Sequence, residues 1–172
     1  MVTHEDALIP NEKKGKSKAY IYFLFAVIVS MNVLVNFDHG VMPAGAMEMK
    51  QDFGLTNTEF GWLGSIVFIG LTLGAISASF LYQHFTSRCL LLFALCANAV
   101  SLFLFTVQKT YIILVVSRFL TGFFQVFVSI FYPVWADRYG TSEKQKTTWM
   151  NVLLLSSSLG VLIGYSVTAQ LV

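Results

Sequence analysis

The sequence predicts an all-α membrane protein with five transmembrane helices, and three observations carry that prediction. Of 172 residues, 56% are hydrophobic and 12% charged, against about 25% charged in an ordinary soluble domain. Five apolar stretches reach the roughly 20 residues needed to cross about 30 Å of hydrocarbon. The connections between successive stretches are short, which makes consecutive spans antiparallel. High hydrophobicity with a net charge of only +2 excludes a disordered chain and disfavours nucleic acid as a partner. Cys89 and Cys96 lie seven apart in one apolar run, about 10 Å along a helix axis, too far to bridge.

Residues 1–18 form a basic tail and 19–172 the transmembrane bundle, with spans at about 19–49, 57–82, 88–108, 111–136 and 147–171. The first apolar run stops near Phe37, but the uncharged residues from Val41 to Met47 can continue the helix to about Met49, with Pro43 adding at most a kink. Ala44-Gly45-Ala46 has the form of a signal-peptidase site. The preceding run is too long for a signal peptide and four spans follow, so the first helix is retained. Before the second span, Thr56 and Glu59 form a capping box and Leu55 can staple onto Phe60, so Glu59 reads as a cap and dipole partner rather than a functional acid. Tight turns at Gln83–Arg88 and Gln108–Thr110 and the polar loop Asp137–Lys146 separate the remaining spans.

Orientation follows from the Lys and Arg residues of the short loops. Lys13, Lys14, Lys16, Lys18, Arg88, Arg138, Lys144 and Lys146 fall on one side, against Lys50 and Lys109 on the other. The amino terminus is therefore expected in the cytoplasm. Glu5-Asp6-Ala7-Leu8-Ile9 resembles an acidic dileucine signal with its spacing one residue short, which hints at an endolysosomal membrane.

Small residues recur at helix-packing spacing, with Gly70 and Gly74 in the second span and Gly160 and Gly164 in the fifth. In lipid, close backbone approach supplies packing energy that the hydrophobic effect does not. Two ionisable residues stand in the spans, where a charge costs roughly 2.5–3.5 kcal/mol even on lenient scales. Arg118 lies about 10 Å below the non-cytoplasmic surface at 1.5 Å per residue, and Asp38 reaches similar depth if the first helix continues. Opposite sign and matched depth make each the other's cheapest partner, and intramembrane charges line substrate or proton routes more often than they merely fix register. His39 adjoins Asp38 as a candidate partner in proton sharing. Gln125 follows Arg118 by two helical turns on the same face.

These residues resemble the amino-terminal half of a major facilitator superfamily transporter, closest to its spinster-like branch. Asn36-Phe37-Asp38-His39 is similar to the branch's Asn-Tyr-x-Asp-Arg. Asp52-Phe53-Gly54-Leu55-Thr56-Asn57-Thr58-Glu59-Phe60-Gly61-Trp62-Leu63-Gly64-Ser65 matches the run into helix two. Arg118, Gly122 and Gln125 resemble Arg-x-x-x-Gly-x-x-Glu of helix four, with Gln in place of Glu. Pro133-Val134-Trp135-Ala136-Asp137 fits that helix's cytoplasmic end, and Ser158-Leu159-Gly160-Val161-Leu162-Ile163-Gly164 looks like the glycine-rich stretch of helix five. The loop ending at Arg88 departs from the family pattern, carrying Gln83 in place of an acid.

The resemblance implies five helices forming most of one six-helix major-facilitator half-bundle. It also implies a proton- or gradient-coupled carrier working by alternating access. Asp38 and Arg118 would be the coupling pair, with Asn36, His39 and Gln125 along the pathway and Gly70, Gly74, Gly122, Gly160, Gly164, Pro133, Asp137 and Arg88 serving packing and gating. The cargo expected of that branch is an amphiphilic, lipid-like or small organic solute, which would suit a cavity rimmed by Phe119, Phe123, Phe124 and Phe127. The same phenylalanines read more simply as packing residues.

The expected partners are the bilayer, that solute, and the carboxy-terminal half of the carrier or other membrane subunits; no cofactor or metal is expected. A full carrier has two halves rocking about a midplane site, so the chain reads as a fragment of a longer carrier. The alternative is a shortened relative acting as a structural subunit. Asp137-Arg138-Tyr139 resembles a receptor motif, but it follows the fourth span and the expected terminus is inside. No paired carboxylates, metal cluster or nucleophile elbow suggests an enzyme.

Overall fold

The computed structural model describes residues 17–107 and 110–172. Lys13, Lys14 and Lys16, the segment from Glu5 to Ile9, and Gln108 and Lys109, all used in the expectations above, lie outside the described residues. Among the described residues the chain forms α1 (Lys18–Ala44), α2 (Ala46–Phe53), α3 (Asn57–His84), α4 (Ser87–Val107), α5 (Tyr111–Tyr139) and α6 (Glu143–Leu171). All but α2 are long and apolar enough to cross a membrane. In hydrocarbon a helix is the cheapest state for such segments, because it satisfies every backbone group within itself.

The first helix does not continue to Met49. It stops at Ala44, and α2 begins at Ala46. Pro43 has no N–H for the carbonyl of His39, four residues back. The Gly45 N–H still closes on the Val41 carbonyl at 2.9 Å, and a new helix starts with Met49 N–H donating to the Gly45 carbonyl at 3.0 Å. The short α2 ends at Gly54, whose φ of 62° is left-handed backbone that glycine adopts without steric cost.

The start of α3 has the expected capping box. The Glu59 N–H donates to Thr56 Oγ1 at 3.3 Å, and Thr56 N–H donates to Glu59 Oε2 at 2.9 Å. The last helix starts one turn earlier than expected, at Glu143, because Ser142 Oγ accepts from the Gln145 N–H at 3.2 Å.

The chain divides into two compact units. The first is Leu55–Ile130, holding α3, α4 and the amino-terminal part of α5. Its core holds a buried stripe on α3 (Leu63, Val67, Gly70, Gly74, Ala78, Tyr82) and the buried Leu114, Phe127 and Val128 of α5. Tyr82 closes that seam, its hydroxyl donating to the Phe127 carbonyl at 2.8 Å. The buried stripe of α4 is Ser87, Leu90, Ala94, Asn98 and Ser101, small or polar at every position but Leu90.

The second unit comprises residues 17–54 and Phe131–Val172. Here α1 packs along α6, and an aromatic stack joins α1, α5 and α6. Trp149 stacks on Phe25 at 4.6 Å and on Trp135 at 5.7 Å, and Trp135 stacks on Tyr139 at 4.8 Å.

The outward faces of the spans carry exposed Phe68, Leu73 and Phe80 on α3, Leu92, Phe93 and Phe103 on α4, and Leu154, Leu159 and Leu162 on α6. Apolar surface on this scale marks faces that meet lipid or other membrane-embedded protein.

Candidate functional site

In the first unit the side chains with chemistry line α5. Arg118 is 3% exposed, and its guanidinium lies 4.3 Å from the centre of the Phe105 ring on α4. A cation over a ring face is attracted by the ring quadrupole, more strongly where water is excluded. The neighbouring hydroxyls are already committed to their own helix: Ser117 donates to the Ile113 carbonyl at 2.7 Å and Thr121 to the Ser117 carbonyl at 2.9 Å. Gln125, 2% exposed, lies two turns further along the same face. Arg118 and Gln125 are the largest buried polar side chains of this stretch.

The glycines of this unit bring α3 and α5 into backbone contact. A methyl group added at Gly70 would strike the Phe119 carbonyl, and one at Gly74 would stand 2.5 Å from the Phe123 carbonyl. From the other side, one at Gly122 would strike the Val67 carbonyl. Phe123 stacks near Phe119 at 6.2 Å and meets Phe127 at 5.7 Å, with Phe127 only 2% exposed. These two rings belong to the helix packing.

In the second unit the polar groups of α1 meet α6. Asn32, 6% exposed, donates from Nδ2 to the Leu153 carbonyl and to Ser156 Oγ, both at 2.8 Å. Asn36 Nδ2 donates to the Asn32 carbonyl at 2.8 Å and to Asn32 Oδ1 at 3.1 Å. Asp38 and His39 follow on α1, both half-buried. Gly160 and Gly164 sit against the carbonyls of Val33 and Phe37, and Gly40 against that of Val161.

At the other end of this unit, Asp137 pairs with Lys146 at 2.9 Å, linking the end of α5 to the start of α6. Pro133 is exposed within α5. Arg88 is exposed at the second residue of α4, in the first unit. Among the described residues no group of His, Cys, Asp and Glu is placed to hold a metal ion, and Cys89 and Cys96 are free thiols.

The sequence reading missed several of these contacts. Asn32 was visible as an amide four residues before Asn36 in an apolar span, a spacing that puts both on one face. Ser156 was hidden within three consecutive serines, of which the helix turns only this one fully inward. Phe105 could not be told from the other phenylalanines, because nothing local marks a ring that sits under a cation.

An all-α chain with five apolar spans and buried polar groups on α1 and α5 defines a multi-pass integral membrane protein. Its sequence matches the family model of the Major Facilitator Superfamily over residues 19–172, and the chain belongs to that superfamily of membrane transporters, which are not enzymes. No match is found among curated proteins.

Proposed function

We propose that the chain is the amino-terminal part of a secondary active carrier of the spinster-like branch, moving a small organic or amphiphilic, lipid-like solute. The observation that carries this reading is Arg118. It is the one charge between Tyr111 and Ala136, it is buried, and a bare scaffold gains little from a guanidinium placed where ionised side chains are costly. Asp38 of α1 is the counter-charge in this reading, with His39 beside it and Asn36 and Gln125 along the route. A change of charge at Asp38 is the coupling event in this reading, tying the gradient to the rocking of the two halves about a midplane site. The amino terminus faces the cytoplasm, as the basic residues of the short loops indicate.

The experiment is gradient-driven solute flux in liposomes containing the full-length product, comparing wild type with Asp38→Asn. The variant keeps the shape and removes the titratable charge, so it should insert normally and lose coupled flux. Unchanged coupled flux would remove Asp38 from the mechanism.

A further inference from the structure

A second feature of α1 concerns which groups such a route accepts. Asn32 has both Nδ2 protons committed, to the Leu153 carbonyl and to Ser156 Oγ, each at 2.8 Å. Ser156 Oγ spends its own proton on the Leu153 carbonyl at 2.8 Å, so it can only accept from Asn32. The orientation of the Asn32 amide is therefore forced, and its Oδ1 needs a donor. That donor is Asn36 Nδ2, which also reaches the Asn32 carbonyl. The chain of donors fixes the second amide in turn: Nδ2 faces Asn32 and Oδ1 faces away. Asn32 is almost fully buried, whereas Asn36 is half-buried, and Asn36 Oδ1 is not among the buried polar atoms left without a partner. An oriented acceptor is thus presented at the open end of a closed network, one turn before Gly40 and two residues before Asp38.

We propose that Asn36 Oδ1 is an acceptor subsite of the transport route that takes an N–H or O–H donor of the cargo, and that Asn32 is the positioning residue that keeps this oxygen, rather than the amide nitrogen, facing the route. The inference rests on the reading of α1 as pathway-lining. A cargo group that only accepts hydrogen bonds meets an oxygen here and is disfavoured. Rotating the Asn36 amide to suit such a group would leave Asn32 Oδ1 facing another oxygen, and an unmade buried hydrogen bond costs more than a made one contributes.

The test uses the full-length protein in lipid bilayers with isotopically labelled Asn and Asp side chains, read by water-edited NMR. Water magnetisation should reach the side chains of Asn36 and Asp38 and not that of Asn32. Added methylammonium, which carries N–H donors, should shift the Asn36 carboxamide carbon, whereas tetramethylammonium, which carries none, should not. In Asn32→Ala the Asn36 Nδ2 protons should exchange about tenfold faster, the factor expected of one net hydrogen bond. Ser156→Ala, which leaves Asn32 one of its two acceptors, should give a smaller acceleration and covers the case in which Asn32→Ala fails to fold.

A dry Asn36 beside a hydrated Asp38 would overturn the subsite and leave the carrier reading intact. Dryness at both positions would overturn the two together. Equal shifts from the two ammonium ions, or none from either, would remove the donor preference. Unchanged Asn36 exchange in both variants would remove Asn32 as the positioning residue.

Discussion

In the first unit, Gly70 and Gly74 of α3 sit against the carbonyls of Phe119 and Phe123 of α5; in the second, Gly160 and Gly164 of α6 sit against those of Val33 and Phe37 of α1. Residue numbers rise together on both partners, so each crossing joins two parallel helices through glycines four apart. Each also has a lone glycine on the facing helix, Gly122 or Gly40. The residue just before the first carbonyl seat is buried and polar in both cases, but it is Arg118 in one and Asn32 in the other. Before the second seat stand Gly122 and Asn36. The same backbone arrangement therefore carries a charge over a ring on one occasion and a neutral amide network on the other. Packing and chemistry are separable in this chain: glycines set how closely helices approach, and the neighbouring positions choose what is placed at that depth.

The largest effects should come from filling the crossings. Gly74→Leu and Gly164→Leu both press a side chain onto a backbone carbonyl that cannot move aside. Each should cost about 1–3 kcal/mol or more, seen as loss of monodisperse protein in detergent. Gly64→Leu, with nothing within 4 Å of its added carbon, should be tolerated. If only one crossing proves sensitive, the two are not equivalent.

The polar positions should then separate the units. Asn32→Leu leaves Ser156 and Asn36 without their shared partner and should destabilise by about 1–3 kcal/mol in thermal unfolding. Phe105→Leu removes the ring beneath Arg118 and should cost about 0.5–2 kcal/mol. In coupled flux the order should reverse, with Phe105→Leu the more damaging because it disturbs the charge. The smallest change is expected for Lys146→Met. Its partner Asp137 has a side chain 64% exposed, so the ion pair is screened and worth within about 1 kcal/mol.

The spans were legible because a bilayer imposes a length and a composition that no local detail overrides, and the Thr56–Glu59 cap because it is built from four consecutive residues. The end of α1 was not. Pro43 alone permits a kinked continuation, and the break at Gly45 goes with a short α2 capped by Gly54, eleven residues beyond the proline. The paired glycines were legible as packing motifs from their spacing, while their partners were not, since Val33, Phe37, Phe119 and Phe123 contribute backbone carbonyls and a carbonyl leaves no mark in a sequence. For the same reason Asn36 and Arg118 stood out as residue types. The Asn32–Ser156 contact, spanning α1 and α6, required coordinates.

The aromatic stack of the second unit has an optical consequence. Of the chain's three tryptophans, Trp135 and Trp149 are stacked at 5.7 Å and about 95% buried, while Trp62 of α3 is 58% exposed. Trp62 therefore emits from an exposed surface, and quenching by brominated acyl chains tests whether that surface meets lipid. The stacked pair is shielded from such quenchers, and its transitions lie close enough to couple as an exciton in near-ultraviolet dichroism. The native chain thus carries two separable intrinsic chromophores: one reports what surrounds the start of α3, the other whether the end of α5 and the start of α6 remain together.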